Sequence, residues 1–170
     1  MSKPFIAILM GSDSDLPVMK SSVAVLRSLD VSFEIKVSSA HRTPAYTHDY
    51  VTNADKRGAV AFICAAGMAA HLAGAVAAAT TKPVIGVPIE SSLDGLDALL
   101  STVQMPGGIP VATVAIGKAG AKNAAYLAAQ IMAVNDEALA GRIRDERSAN
   151  TAAVIAKDKA LQEQVANGEI

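Results

Sequence analysis

Five apolar segments of strand length, separated by stretches of helical character, constrain the fold of this chain more than any other feature. They are residues 5–10, 33–37, 59–64, 84–87 and 111–116. Nearly continuous apolar strands that alternate with helices are typical of a parallel sheet with helices on both faces. The pattern predicts a three-layer, doubly wound α/β fold, and we expect about five strands in the flavodoxin-like order.

The length of 170 residues is enough for one well-buried domain and too little for two of ordinary size. We expect the α/β domain at residues 1–135, with an alanine-rich helix at 120–134, and a C-terminal helical extension at 136–170. Apolar pairs four residues apart, such as Leu161 and Val165, predict that the extension is a long amphipathic helix. Such a helix either covers the chain's own sheet or packs on a neighbouring subunit, and the sequence leaves both interpretations open.

Composition and charge indicate a small-molecule partner in the cytoplasm. The net charge of -1 provides no field that would attract nucleic acid or an anionic membrane. The single cysteine, Cys64, has no second cysteine for an intramolecular disulfide, which fits a reducing compartment. Residues 58–81 carry no Asp, Glu, Lys or Arg, but their Ala and Gly content and His71 predict a strand, a loop and a buried helix instead of a membrane span.

Three short polar clusters each follow one of the first three apolar segments. They are Gly-Ser-Asp-Ser-Asp at 11–15, Ser-Ser-Ala-His-Arg-Thr-Pro at 38–44 and Ala-Gly-Met-Ala-Ala-His at 66–71. Loops that follow parallel strands meet at one edge of the sheet, so we expect the clusters to share a crevice. A helix start is predicted at Pro17, and another at Pro44 with Thr43 as its N-cap. The free N–H groups of a helix start favour anions such as phosphate.

The first cluster alternates hydroxyls with carboxylates. A hydroxyl such as that of Ser12 suits a phosphate, and a carboxylate such as that of Asp15 suits ribose hydroxyls. Ser and Asp are equally ordinary in turns and N-caps, so this cluster alone does not define a site. The G-x-G-x-x-G pattern of dinucleotide-binding folds is missing here.

The second and third clusters contain the side chains best suited to chemistry. Arg42 can place two N–H groups on a phosphate or carboxylate, and the imidazole of His41 can carry protons near neutral pH. The alternative is an exposed turn with incidental charge. His71, among apolar neighbours, is either part of the same site or a hydrogen-bonded core residue, and His48 is most simply a surface residue. Two histidines without a clear third ligand argue against a metal site.

Five motifs extend this pattern along the chain. They are Met-Gly-Ser-Asp-Ser-Asp at 10–15, Ser-Ala-His-Arg-Thr-Pro at 39–44, Ala-Ala-His-Leu at 69–72, Val-Ile-Gly-Val-Pro at 84–88 and Val-Gln-Met-Pro-Gly-Gly-Ile-Pro at 103–110. Together they resemble the class I form of N5-carboxyaminoimidazole ribonucleotide mutase, a family of de novo purine synthesis also known as the catalytic subunit of phosphoribosylaminoimidazole carboxylase. The resemblance runs from the first strand to about Asn135.

The resemblance implies an isomerase that moves a carboxylate from the exocyclic nitrogen of an aminoimidazole ribonucleotide to a ring carbon. The substrate would lose carbon dioxide, which would stay in a closed pocket until the ring carbon attacks it. No ATP, metal or organic cofactor is implied. The family also implies a homo-octamer with active sites at subunit contacts, and transient contact with the ATP-dependent enzyme that supplies the substrate.

The resemblance assigns roles to individual residues of this chain. His41 would be the acid that assists decarboxylation and the base that removes the ring-carbon proton, while His71 would close the carbon dioxide pocket. Ser12, Ser39 and Arg42 would hold the phosphate, and Asp15 would meet the ribose hydroxyls. The implied substrate-binding residues are Ser12, Asp15, Ser39, Ala40, Arg42, Ala66, Gly67, Met68 and Leu72.

Two positions depart from the family pattern. Met68 and Ala73 stand where many members have glycine and proline. Animal-type carboxylases, which use free carbon dioxide, have lysine after the corresponding first histidine, so Arg42 and His71 together favour the mutase. A carboxylase acting on the uncarboxylated nucleotide stays the nearest alternative, because the fold alone does not decide between the two.

Two other proteins of this fold class fit the sequence poorly. A phosphoacceptor receiver domain requires an aspartate after the third strand, where this chain has Cys-Ala-Ala at 64–66. A flavodoxin-like electron carrier normally stacks aromatic side chains on its flavin, and this chain has no Trp and three Tyr. We therefore expect an enzyme and not a signalling or electron-transfer module.

Overall fold

The computed structural model describes residues 3–170, and five parallel strands form its single sheet. The strands are β1 (Phe5–Met10), β2 (Phe33–Val37), β3 (Ala59–Gly67), β4 (Val84–Ile89) and β5 (Ala112–Thr113). Their order across the sheet is β2-β1-β3-β4-β5, which confirms the predicted flavodoxin-like topology. β1 and β4 are buried along their whole length, as expected of inner strands that are covered on both faces.

Between residues 3 and 170 the chain also forms six α-helices. They are α1 (Leu16–Ser28), α2 (Pro44–Arg57), α3 (Leu72–Ala77), α4 (Leu96–Val103), α5 (Gly117–Ala133) and α6 (Glu137–Ala166). None of these helices is long and apolar enough to cross a membrane. The uncharged stretch 58–81 forms β3, a loop and the largely buried α3, as predicted.

Local sequence signals explain where α2 begins and ends. Pro44 occupies the first helical position, where its fixed φ suits a helix start. Gly58 follows the last helical residue with a φ of 100°, a left-handed conformation that glycine adopts without steric penalty. The chain can therefore reverse within one residue and enter β3 at Ala59.

Two strands are longer than predicted and one is shorter. β3 and β4 continue to Gly67 and Ile89, because these two residues still pair with each other. β5 consists only of Ala112 and Thr113, which pair with β4 at the edge of the sheet. The strand predicted at 111–116 is therefore mostly wrong. The other residues of this apolar segment have no paired residue in β4, and without such pairing they do not form a strand.

α5 contacts α1 at a buried hydrogen bond. The hydroxyl of Ser22, in α1, donates a hydrogen bond to the carbonyl oxygen of Ala121 at 2.5 Å. The start of α5 is equally close to the preceding loop, since a Cβ added at Gly120 would overlap the carbonyl oxygen of Ala115. The close approach of these two backbone segments therefore requires glycine at position 120.

The chain divides into two compact units, one ending at Met132 and the other covering residues 133–170. The second unit consists mainly of α6. Asp136 caps this helix, because its carboxylate accepts a hydrogen bond from the N–H of Leu139 at 3.0 Å. The predicted C-terminal helix is therefore confirmed.

The burial of α6 is restricted to its first turns. Leu139 and Ile143 are buried, whereas every residue from 147 to 170 is exposed in the single chain. The exposed set includes Leu161 and Val165, the pair that predicted an amphipathic helix. An apolar face that is buried along the whole helix is therefore not found in the single chain.

An ion-pair cluster ties α2 to the edge strand β2. Nη2 of Arg57 donates to Oε2 of Glu34 at 2.8 Å, and the hydroxyl of Tyr50 donates to the same oxygen at 2.9 Å. The hydrogen bond from Arg57 holds the pKa of Glu34 below its ordinary value. Burial and the nearby Glu34 carboxylate raise the pKa of Tyr50 well above its usual range. The cluster therefore keeps its native charges at neutral pH.

Replacing Glu34 with Gln is expected to lower the free energy of unfolding by about 1 kcal/mol at neutral pH, since the ion pair is partly exposed. The pKa of Glu34 is lowered by folding, so its contribution is present above the unfolded value and is lost as the pH falls through the folded value. The difference between wild type and variant in urea unfolding should therefore shrink over the acidic interval below the ordinary pKa of glutamate. A difference that stays constant over this interval would contradict the assignment.

Candidate active site

A cavity of about 550 Å³ opens at the carboxyl edge of the sheet, where the loops after β1, β2, β3 and β4 meet. It is lined by Gly11, Ser12, Ser14, Asp15, Ser39, Ala40, His41, Arg42, Ala66, Gly67, Met68, Ala69, His71, Leu72, Ile89, Glu90 and Ser91. All eleven site residues implied by the sequence are in this set. The structure thus brings the three polar clusters together in one crevice, at the usual ligand position of an open parallel sheet.

One wall of the cavity was not predicted from the sequence. Ile89, Glu90 and Ser91 line it from the loop after β4. A signal was present, because polar residues directly follow an apolar segment here, as they do in the other three loops. The segment was expected to end at Val87, and the residues after it match no motif of known chemistry.

The loop after β1 folds into a short 3₁₀ turn with internal hydrogen bonds. The N–H of Ser12 donates to Oδ2 of Asp15 at 3.1 Å, and the hydroxyl oxygen of Ser12 accepts from the N–H of Ser14 at 3.3 Å. This reciprocal pair is a capping box, so the N-cap interpretation of the cluster is correct. The same turn places both serine side chains on the cavity wall. Capping and ligand binding are therefore compatible here.

Asp15 is a buried carboxylate, with 6% of its surface exposed. Burial raises its pKa above the ordinary value, the N–H of Ser12 opposes this, and the nearby carboxylate of Asp13 adds to it. Its bond to the Ser12 backbone fixes the orientation of the carboxylate at the cavity. This arrangement suits Asp15 to accept hydrogen bonds from ligand hydroxyls.

Ser39 and Thr43 close the loop that carries His41 and Arg42. The N–H and the hydroxyl of Thr43 both donate to the carbonyl oxygen of Ser39, at 2.8 and 2.9 Å. The hydroxyl oxygen of Ser39 accepts from the N–H of Arg42 at 3.2 Å. Thr43 occupies the N-cap position of α2 as predicted, but its side chain makes no capping bond because it is committed to Ser39. The predicted N-cap position is therefore confirmed, without a side-chain capping bond.

Two buried hydroxyls support this loop from below. The side-chain oxygens of Ser38 and Thr47 lie 2.7 Å apart, and both residues are buried. The hydroxyl of Thr47 also donates to the carbonyl oxygen of Thr43 at 3.0 Å. Buried hydroxyls need such partners, and this pair fixes the first turn of α2 against the end of β2. The position of the loop is thus set by the core beneath it.

His41 and His71 meet across the end of β1. Nε2 of His41 lies 2.8 Å from Nδ1 of His71, and the two rings are nearly perpendicular, with centroids 4.9 Å apart. In such a contact one nitrogen donates and the other accepts, so the facing atoms share one proton. His71 is exposed and is therefore not a core histidine. A pair of this kind can release a proton and take it back.

Met68 has a strained backbone at the point where the chain leaves β3. Its φ is 55°, in the left-handed region that residues other than glycine rarely adopt. Glycine would carry no steric penalty in this conformation. Its side chain is 59% exposed and lines the cavity. Ala73, the second departure from the family pattern, is buried in α3 and does not line the cavity.

The remaining candidate residues lie outside the cavity lining. His48 is exposed on α2, and its Nδ1 is 3.7 Å from Oδ1 of Asp49. Cys64 is buried in β3, and burial raises the pKa of its thiol. In the part of the chain that the structure describes, no three His, Cys, Asp or Glu side chains are grouped so that they could hold a metal ion.

The two ends of the cavity differ in chemistry. Ser12, Ser39 and Arg42, after β1 and β2, supply hydroxyls and a guanidinium that suit a phosphate. The walls after β3 and β4 are built mainly from Ala, Gly, Met, Leu and Ile. A ligand with an anionic group at one end and an apolar ring at the other fits this distribution, with the histidine pair available for proton transfer.

The sequence matches the protein family described as AIR carboxylase over residues 5–153. This span includes all five strands and every residue that lines the cavity. The chain belongs to the AIR carboxylase family.

Curated relatives share a more specific name. A protein of Bacillus subtilis named N5-carboxyaminoimidazole ribonucleotide mutase is 55% identical over 150 residues, which cover 88% of this chain and 92% of the relative. A protein of the same name from Pyrococcus abyssi is 58% identical over 132 residues, covering 77% of this chain and 75% of that relative. The crystal structure of Treponema denticola PurE matches with a TM-score of 0.85 at 30% identity, covering 94% of this chain and 99% of that one. The resemblance carried by the motifs is therefore confirmed.

Proposed function

We propose that this chain is an isomerase of de novo purine synthesis that converts N5-carboxyaminoimidazole ribonucleotide to 4-carboxy-5-aminoimidazole ribonucleotide. The observation that carries the proposal is the 2.8 Å contact between His41 and His71 in a cavity whose other end suits a phosphate. Relatives named for this mutase are 55% and 58% identical to the chain. The reaction rearranges one molecule without a net change in its atoms, so it balances without ATP, and we assign no metal or organic cofactor to it.

In the proposed mechanism the enzyme donates one proton to the substrate and later accepts one proton back. Carbon dioxide leaves as its bond to the exocyclic nitrogen breaks, and His41 gives a proton to that nitrogen. The ring carbon then attacks the carbon dioxide, and His41 removes the proton that this carbon loses. One imidazole serves as acid and then as base, and His71 orients it through their shared proton.

The apolar part of the cavity would hold the carbon dioxide between these two steps. Ala66, Gly67, Met68 and Leu72 line this part, and Ala40 and Ala66 pack against the hydrophobic core. Such a wall offers water few hydrogen bonds, so it limits escape and side reactions of the trapped gas. His71, at the edge of this wall, would close it.

The polar part of the cavity would bind the ribose phosphate. Ser12, Ser39 and Arg42 would hold the phosphate through hydroxyls and a two-pronged guanidinium. Asp15, whose carboxylate is oriented by the Ser12 N–H, would accept hydrogen bonds from the ribose hydroxyls. These roles give the substrate a fixed direction, with its ring toward the histidines.

The quaternary structure that we propose is a homo-octamer. α4 supports this, because the apolar side chains of Leu96, Leu100 and Val103 lie on one helical face and are exposed in the single chain. The exposed residues 147–170 of α6 could pack on a neighbouring copy in the same way. In this assignment residues 1–135 form the catalytic domain and residues 136–170 belong to the assembly.

Light scattering at micromolar concentration is expected to give about eight times the chain mass of 17.4 kDa. Replacing Leu100 with Asp should lower this mass, since a charge in a buried apolar contact is costly. A monomeric wild-type chain would contradict the proposed octamer.

We further propose that the chain works in the cytoplasm, in transient contact with the ATP-dependent enzyme that supplies its labile substrate. The small-molecule substrate, the unpaired Cys64 and the net charge of -1 fit this setting. Neither nucleic acid nor membrane is a partner in this proposal.

Product formation with two alternative substrates tests the proposed reaction. Purified protein is given N5-carboxyaminoimidazole ribonucleotide without ATP or bicarbonate, and a parallel sample is given the uncarboxylated nucleotide with bicarbonate. Rapid conversion of the first substrate alone is the expected result. Conversion of the second substrate alone would make the chain a carboxylase. Absence of product in both samples would contradict the proposed function.

A further inference from the structure

The loop between β4 and α4, residues 90–95, forms a wall of the cavity to which the proposed mechanism gives no role. Its backbone is unusual, because Leu93, Asp94 and Gly95 have φ values of 50°, 53° and 81°. Three successive left-handed residues are rare, and two of these are not glycine, so the conformation carries a steric penalty. Such strain persists only where the surroundings impose it, and it is frequent at functional sites.

Gly95, the last residue of this run, is tightly packed. Gly95 is buried, and a Cβ added there would lie 2.8 Å from Cγ2 of Ile116 and 3.2 Å from Cα of Glu90. Within the loop, the N–H of Gly95 donates to the carbonyl oxygen of Ser92 at 3.1 Å. Gly95 therefore packs directly against Glu90, the residue that follows β4.

Ser91 reaches the cavity from this loop. Its Cβ would lie 3.5 Å from a Cβ added at Gly67, the last residue of β3. Neighbouring strands are about 4.8 Å apart, so the ends of β2 and β4 are separated by about 14 Å. Arg42 follows β2, and Ser91 therefore lies at the opposite end of the cavity from the proposed phosphate site.

The reacting carboxylate lies at this end of the cavity if the phosphate binds near Arg42. A carboxylate needs hydrogen-bond donors, and few side chains here can supply one. Those after β3 and β4 are apolar or glycine, apart from His71, Glu90 and Ser91. Nδ1 of His71 contacts His41, which leaves Nε2 of His71 as one possible donor, and the carboxylate of Glu90 can only accept. Besides Nε2 of His71, the hydroxyl of Ser91 is the neutral side-chain donor at this end of the cavity.

We propose that Ser91 is a substrate-binding residue whose hydroxyl donates a hydrogen bond to the carboxylate that is being transferred. This inference rests on the proposed function, because that reaction defines which end of the ligand carries the carboxylate. It predicts that Ser91 distinguishes a carboxylated nucleotide from the same nucleotide without the carboxylate.

Calorimetric titration of the full-length protein tests this discrimination. The two probes are 4-carboxy-5-aminoimidazole ribonucleotide and the uncarboxylated 5-aminoimidazole ribonucleotide. Replacing Ser91 with Ala should weaken binding of the carboxylated probe about tenfold, as expected for a lost hydrogen bond to a charged group, and leave the other probe within about twofold. Replacing Ser91 with Thr, which keeps a hydroxyl, should restore most of the affinity.

The control is Ser92, which is exposed and does not line the cavity. Replacing it with Ala should change neither affinity. Equal weakening of both probes by the Ser91→Ala variant, or no weakening of either, would overturn the proposal. If the unaltered protein bound neither nucleotide, the proposed function itself would fail, and this result is visible before any variant is made.

Discussion

Replacing His41 with Asn is expected to lower the rate of product formation by about 10³-fold while the protein still binds the nucleotide. The proposed mechanism needs one group that gives a proton to the exocyclic nitrogen and later takes one from the ring carbon. Asn can occupy a similar volume and form hydrogen bonds, but it cannot carry a proton between these steps. The measurement is a steady-state rate together with a nucleotide affinity from calorimetry.

The matched control for this variant is His48→Asn. His48 is exposed on α2 and does not line the cavity, so its replacement should leave both rate and affinity unchanged. Loss of nucleotide binding in the His41→Asn variant would assign His41 to substrate positioning. A rate within a few-fold of wild type would remove it from proton transfer altogether.

Replacing Gly120 with Ala is expected to lower the free energy of unfolding by more than about 3 kcal/mol, the largest stability effect that we predict. The added Cβ would overlap the carbonyl oxygen of Ala115. Both clashing groups belong to the backbone or are fixed to it, so no side-chain rotation relieves the contact. Relief requires α5 to move from the preceding loop, and α5 also accepts the buried hydrogen bond from Ser22.

Gly141→Ala is the matched control, because Gly141 lies inside α6 and its added Cβ would meet only Nη2 of Arg144 at 3.9 Å. Alanine favours a helix interior over glycine by about 1 kcal/mol, so this variant should be slightly more stable than wild type. Thermal unfolding of both variants measures the contrast. A Gly120→Ala protein that unfolds at the wild-type temperature would show that α5 can shift without cost.

The composition of the sequence predicted where the strands lie. It did not predict how long each strand is, because strand length depends on pairing with the neighbouring strand. The first two strands, Phe5–Met10 and Phe33–Val37, have the predicted bounds: the first is wholly apolar and buried, and the second alternates apolar with charged residues at the sheet edge. β3 and β4 extend further only because Gly67 and Ile89 face each other. That partnership depends on the order of strands in the sheet, which no local segment encodes.

The same distinction applies to the candidate site. The residues implied by the motifs all line the cavity, since each follows a strand and the carboxyl ends of parallel strands share one edge. The contact between His41 and His71 joins residues thirty positions apart, so its distance was not predictable from spacing. Glu90 and Ser91 were missed because the segment before them was expected to end at Val87, whereas β4 continues to Ile89 by pairing with β3.

The fate of the carboxyl carbon tests the central claim most directly. N5-carboxyaminoimidazole ribonucleotide labelled with carbon-13 in its carboxylate is converted by the protein in the presence of unlabelled bicarbonate, and the label in the product is measured by mass spectrometry. Retention of the label is the predicted result, because the carbon dioxide stays behind the apolar wall until the ring carbon attacks it. Loss of the label to the unlabelled pool would contradict the account, since it would mean that carbon dioxide leaves the cavity between the two steps.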